Sequence, residues 1–69
     1  MASASTPQIV RCLKSDMGGD LLAGARYAER IAFTSALNPW ADPETAGNYA
    51  AAAQILRNEY EQHVQTSRN

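Results

Sequence analysis

The sequence has little of what small proteins use to stabilise a fold or to carry out chemistry. Its 69 residues contain one cysteine and one histidine, which excludes an internal disulfide and leaves too few ligands for a structural zinc site. A domain of this size buries only about 60% of its unfolded surface, so its stability is marginal without a further constraint. Association with another chain is the constraint that remains.

Large apolar side chains are also scarce. Hydrophobic residues make up 45% of the chain, but thirteen of them are alanines. The core of a monomer would therefore be thin, and we expect folding to be coupled to homodimerisation.

The chain lacks both an excess of positive charge and a long hydrophobic run. A formal net charge of −1 argues against direct binding to nucleic acid. No apolar run approaches the roughly 18 residues of a membrane-spanning helix, and the N-terminus has no basic segment followed by an apolar one. These absences predict a cytoplasmic protein with neither a nucleic acid nor a membrane as its partner.

The first structured segment is predicted to be a short helix. Thr6 and Pro7 form a helix-opening pair, with a hydroxyl at the N-cap and a proline at the first helical position. Apolar residues between 9 and 17 recur at helical spacing. A β-like arm at residues 9–13 is the alternative.

Two breaks separate this segment from two longer helices. The Gly-Gly pair at 18–19 ends the first helix, and Asp20 can cap the next. The Asn-Pro pair at 38–39 ends the second helix, and the Asp-Pro-Glu run at 42–44 starts the third a few residues later. Helices joined by so short a loop are antiparallel neighbours, so we expect an αα-hairpin.

Small apolar residues recur along both long helices at alternating steps of three and four, which defines an alanine seam on each. The predicted fold is all-α: an antiparallel αα-hairpin with a short N-terminal helix or arm, dimerising through the seams into a helical bundle. It forms one domain over residues 1–69, with a third helix that ends near residue 65 and with disorder at 1–5 and 66–69. The predicted dimer and hairpin core is Leu21, Ala25, Ala28, Ala32, Tyr49, Ala53, Leu56 and Tyr60.

The face of the second helix opposite its seam carries arginine and aromatic side chains, the composition of binding hot spots. Phe33 has no place in the hairpin core. It packs, with Leu22, against the first helix or a second copy, or it binds a different protein. Trp40, in a loop stiffened by prolines, either caps the open end of the hairpin or is presented as an anchor. The predicted partner-binding residues are Leu22, Arg26, Arg30, Phe33, Leu37 and Trp40.

No catalytic, cofactor-binding or metal-binding motif is recognisable. His63 has no Ser, Cys or Asp partner fixed by spacing, and we place it on the surface or at a dimer edge. Cys12 lies among apolar residues, so it is predicted to be buried, with a reactive thiol as the alternative. The glycine pair lacks the spacing of a phosphate-binding loop. We therefore expect neither enzymatic activity nor a cofactor.

The stretch DLLAGARYAERIAFTSALNPWADPETAGNYAAAAQILRNEYEQH, the short length and the missing catalytic residues resemble the small early proteins of bacteriophages, in particular the helical anti-quorum-sensing family of Mu-like Pseudomonas phages. The resemblance implies a homodimeric anti-activator in the host cytoplasm that binds a LuxR-type transcription regulator and keeps it off DNA. It also implies a second target, the type IV pilus assembly ATPase, but it assigns no individual residue. The alternative is a small structural or assembly oligomer without a host target.

Overall fold

Three α-helices make up the computed structural model of this protein, which describes residues 5–68, with side chains from 5 to 66. They are α1 (Thr6–Asp16), α2 (Leu21–Leu37) and α3 (Pro43–Arg68). The first segment is thus a helix and not a β-like arm. Helix α3 extends to Arg68, past its predicted end near residue 65. The expectations for residues 1–4 and 69 lie outside the described residues.

Helix α1 begins one residue earlier than predicted, because Ser5 and not Thr6 is its N-cap. The Ser5 hydroxyl accepts a hydrogen bond from the Gln8 backbone N–H at 3.4 Å, and the Gln8 side-chain oxygen accepts one from the Ser5 backbone N–H at 3.0 Å. This reciprocal arrangement is a capping box. The hydroxyl of Thr6 is left to donate to Asn48 Oδ1 of α3 at 3.4 Å.

The glycine pair ends α1 as predicted. Gly18 and Gly19 have φ values of 61° and 88°, in the left-handed region that only glycine adopts without strain. The Gly19 N–H donates to the carbonyl of Lys14 at 2.9 Å, which satisfies one of the last carbonyls of the helix. Asp20 then caps α2, since its carboxylate accepts a hydrogen bond from the Ala23 N–H at 3.0 Å.

Asparagine and aspartate side chains also shape the short loop between α2 and α3. Asn38 is the C-cap of α2, and its side-chain oxygen accepts a hydrogen bond from the Trp40 N–H at 3.0 Å. Asp42 accepts one from the Glu44 N–H, also at 3.0 Å. Helices α2 and α3 pack against each other as a hairpin, which confirms that part of the predicted fold.

Helix α1 lies along the hairpin and runs parallel to α3. At its start, Thr6 bonds to Asn48, and near its end Lys14 Nζ lies 2.7 Å from Glu59 Oε2. Residue numbers rise in the same direction along both helices from the first contact to the second, so the two helices are parallel. The molecule is therefore a three-helix unit in which α1 covers one side of the hairpin.

All three helices contribute to one hydrophobic core. They converge at Gly24 of α2, where an added Cβ would lie 3.3 Å from Leu56 Cδ1 and 3.7 Å from Leu13 Cβ. Leu56 is fully buried, and it is the largest side chain described as such. The buried apolar residues are Ile9, Val10, Leu13, Ala25, Ala28, Ala52, Ala53 and Leu56.

The alanine seams are closed within a single chain. Ala25 and Ala28 are 0% exposed and Ala53 is 3% exposed without any second copy. Dimerisation is not shown, and these alanines are covered within one chain by the packing of the three helices into one core. The other predicted core residues, Leu21, Ala32, Tyr49 and Tyr60, are half-buried, and Ala52 is a core residue that was not predicted.

Candidate protein-docking face on helix α2

The predicted partner-binding residues of α2 share one side of the helix, which we call the outer face of α2. Successive residues of an α-helix are about 100° apart, so these five positions fall within an arc of roughly 80°. That arc lies opposite the buried alanines. Four of the residues are exposed and Leu22 is half-buried. The outer face of α2 comprises Leu22, Arg26, Arg30, Phe33 and Leu37.

The end of the outer face next to the loop is strongly apolar. Phe33 and Leu37 are each 69% exposed, and Trp40 in the loop is 92% exposed. Trp40 therefore does not cap the hairpin, and Phe33 does not pack against α1. Phe33 and Leu37 are neighbours one turn apart on α2, and exposed apolar side chains that lie together mark interaction surfaces. We call Phe33, Leu37 and Trp40 the apolar tip.

The other end of the outer face borders an open depression of about 410 Å³. Tyr27, 46% exposed, is one of its lining residues. The rest of the lining combines apolar and charged side chains, so the depression can accept an apolar group while offering guanidinium and carboxylate groups. We call it the α2 depression, and its other lining residues are Met17, Asp20, Leu22, Ala23, Arg26 and Arg30.

The outer face carries two arginines that none of the described ion pairs involves. The ion pairs described within residues 5–66 join Lys14 to Glu59 and Arg57 to Glu29, and neither involves Arg26 or Arg30. Arg57 also donates through Nε to Glu29 Oε1 at 3.1 Å, which ties α3 to the edge of the outer face. The two arginines are thus available to an acidic or aromatic group of another molecule.

The side chains with potential for chemistry lie apart from this face. Cys12 is exposed, so its predicted burial is wrong. It is about 100° from Leu13 around α1, which places it outside the core side of that helix. His63 is exposed on α3. Among the side chains described, His, Cys, Asp and Glu form no group of three that could hold a metal ion.

The acidic end of α3 is a weaker candidate surface. The carboxylate of Glu59 is engaged by Lys14, and Tyr60 is half-buried. Only Glu61 of this group is fully on the surface. As for membranes, none of the helices in the described part of the chain is both long and apolar enough to cross a bilayer.

Sequence reasoning identified the outer face but not the depression. Periodicity alone separates the arginine and aromatic side from the alanine side. Met17 was counted among the apolar residues that recur at helical spacing in the first segment, and Tyr27 was assigned to neither side of α2. Tyr27 lies one helical turn from both Ala23 and Arg30. This spacing is the sequence signal that places Tyr27 beside these two lining residues.

No protein-family model, curated protein or solved structure matches this chain. The resemblance to the phage anti-quorum-sensing family therefore stays a prediction.

Proposed function

We propose that this chain is a protein-binding inhibitor that docks through the outer face of α2 and Trp40. The observation that supports this most strongly is the apolar tip: two large apolar side chains, each 69% exposed, share a helix face with two arginines that none of the described ion pairs involves, and the 92% exposed Trp40 follows in the adjoining loop. Aromatic and arginine side chains are the residue types most enriched at the energetic centres of interfaces. Exposed apolar patches rimmed by polar residues mark protein–protein interaction sites.

The rigidity of the site also supports binding. Phe33 and Leu37 lie on a regular helix, and the loop that carries Trp40 is held by the Asn38 side chain. Pro39 further restricts this loop. Little conformational entropy is then lost when the tip inserts into a pocket, so more of the contact energy contributes to affinity.

The proposed target is a LuxR-type transcription regulator, with the type IV pilus assembly ATPase as a second target. Both come from the resemblance of the sequence to the phage anti-activators. The side chains of the outer face and the tip define what such a target must provide: an apolar pocket for the tip, and acidic or aromatic groups opposite Arg26 and Arg30. Binding of the chain inhibits the regulator, because a regulator whose DNA-binding surface is covered or displaced no longer binds its DNA site.

The test is a calorimetric titration of a purified LuxR-type regulator with the wild-type chain and with Arg26→Ala, Phe33→Ala and Trp40→Ala. Truncation of a hot-spot residue costs about 2 kcal/mol or more, which is about thirtyfold in affinity. The control is Ile55→Ala, which removes a 39% exposed apolar side chain from α3 and is expected to bind as the wild type does.

Two results would count against the proposal. Failure of the wild-type chain to bind any LuxR-type regulator would remove the target class. Wild-type affinity in all three folded variants would remove the outer face as the site, and the acidic end of α3 at residues 59–61 would be the next surface to test.

A further inference from the structure

Two neighbouring rows of side chains on α2 line the α2 depression. Residues four apart follow one another along a helix, so Leu22, Arg26 and Arg30 form one row. Ala23 and Tyr27 form the row beside it. We infer that the depression binds an acidic helical segment of a partner protein, with one large apolar side chain in the depression and two carboxylates, one helical turn apart, paired with the two arginines.

The end of the depression nearest α1 is apolar. Met17 lies against α2 there, since a Cβ added at Gly24 would be 4.0 Å from Met17 Cγ. Leu22 and Ala23 are half-buried and line the same end. An unbranched methionine side chain adapts to apolar groups of different shapes. With a volume of about 410 Å³, the depression therefore has room for one large apolar side chain of a partner.

The two arginines set the charge of the partner. Arg26 and Arg30 are exposed, and none of the ion pairs described within residues 5–66 involves either of them. Asp20 also lines the depression, but its carboxylate caps α2 by accepting a hydrogen bond from the Ala23 N–H at 3.0 Å. A guanidinium group binds a carboxylate through two parallel hydrogen bonds. Acidic side chains are therefore the groups that complement this end of the depression.

The spacing along α2 matches that of a second helix. Arg26 and Arg30 are four residues apart, which is about 6 Å along the helix axis. Two acidic residues at positions i and i+4 of another helix have the same separation, so a helix laid along α2 brings both carboxylates to the arginines. Leu22 lies a further four residues before Arg26. An apolar residue one more turn along the partner helix then reaches the apolar end of the depression.

Phosphate groups also bind arginine, so a nucleic acid is the competing class of ligand. A nucleic acid carries a negative charge at every nucleotide and is bound along a continuous positive surface. The carboxylate of Asp20 interrupts such a surface at the depression, and the chain has a formal net charge of −1. These charges favour an acidic protein segment, whose carboxylates need only meet the two arginines.

The inference deepens the proposed function and rests on it for the use of the outer face of α2 as a docking surface. It separates two contacts on that face. The apolar tip enters a pocket of the target, whereas the α2 depression receives an acidic helix. A target that fits this chain would therefore carry both features.

Titration with synthetic helical peptides tests the inference without any regulator. The probe is a labelled alanine–glutamine peptide of about 20 residues, long enough to be helical. It carries Leu, Glu, Glu and Leu at every fourth position, so that either orientation presents a leucine beyond the acidic pair. The reference peptide has glutamine in place of both glutamates. Fluorescence anisotropy should show the wild-type chain binding the acidic peptide about tenfold more tightly, since two ion pairs each contribute about threefold.

Variants of the chain locate the binding. Arg26→Gln and Arg30→Gln should each reduce the preference for the acidic peptide to about threefold. Arg11→Gln removes the same charge from an exposed position of α1 and should leave the preference intact. Ala23→Leu fills the depression and should weaken binding of both peptides about tenfold. Its control is Ala51→Leu, at an exposed position of α3, and circular dichroism verifies that each variant is folded.

Four results would overturn the inference. They are equal affinity for the two peptides, no binding of the acidic peptide at millimolar concentration, unchanged binding by Ala23→Leu, and tighter binding of single-stranded oligothymidylate than of the acidic peptide. The last result would assign the arginines to phosphate. A wild-type chain that binds the regulator but not the acidic peptide would overturn this inference alone, so its failure is distinguishable from failure of the proposed function.

Discussion

Replacement of Leu56 by alanine should remove much or all of the stability of this fold. The side chain is 0% exposed and lies where the three helices converge, 3.3 Å from the position of a Cβ on Gly24. Buried Leu→Ala changes cost about 3 to 5 kcal/mol, because the lost transfer energy is increased by the cavity left behind. A domain of this length is stable by only about 3 to 10 kcal/mol.

The measurement is urea unfolding followed by circular dichroism, with Ile55→Ala as the matched control. Leucine and isoleucine have the same number of carbon atoms, and the two positions are adjacent on α3. Ile55 is 39% exposed, so its truncation should cost about 1 kcal/mol or less. Equal shifts of the unfolding midpoint for the two variants would refute the assignment of Leu56 to the core side of α3.

The remaining predictions concern helix positions whose surroundings differ. Gly47→Ala should raise the unfolding midpoint by the equivalent of about 0.5 to 1 kcal/mol, since an added Cβ meets nothing within 4 Å and alanine is the better helix former. Gly24→Ala should give no such gain, because its Cβ presses on the buried Leu56; equal stabilisation of both variants would contradict this. Ala53→Glu should unfold the chain by burying a charge, while Gln54→Ala should leave the circular dichroism spectrum unchanged; a folded Ala53→Glu chain would refute the packing.

Local signals predicted the helix ends because the chemistry that fixes them is local. A glycine pair adopts positive φ. The Asp20 carboxylate accepts from the Ala23 N–H at the start of α2, and the Asn38 N–H donates to the Ser35 carbonyl at its end, so both cap bonds span three residues. The start of α1 was misplaced by one residue because serine and threonine are both good caps. The Ser-x-x-Gln pattern from Ser5 to Gln8 was the signal that distinguishes them.

The packing of α1 could not be predicted in the same way, because it depends on contacts distant in sequence. Thr6 bonds to Asn48 and Lys14 pairs with Glu59, and the residues around Thr6 and Lys14 in the sequence give no indication of these partners. Without α1 in place, the hairpin alone has too few large apolar side chains, which is why the alanine seams were assigned to a dimer. The exposure of Cys12 follows from the same missing information, since the orientation of α1 decides it.

The candidate site was likewise predictable only where its features depend on local sequence. The outer face of α2 follows from helical periodicity, because its residues recur opposite the alanines. The exposure of Trp40 does not follow, since a loop tryptophan can fold back or project, and only the tertiary structure decides between them. The α2 depression was not predictable either, because its lining combines α2 with Met17 at the end of α1.

The most direct test of the central claim, that the outer face of α2 is the binding surface, is a nuclear magnetic resonance titration of the isotope-labelled chain with a purified LuxR-type regulator. Amide signals of the face and tip, and the indole N–H of Trp40, should shift or broaden, while signals of the buried Ala52 and of the exposed Ala51 stay in place. Perturbation centred on residues 59–61, with the signals of α2 unchanged, would contradict the claim.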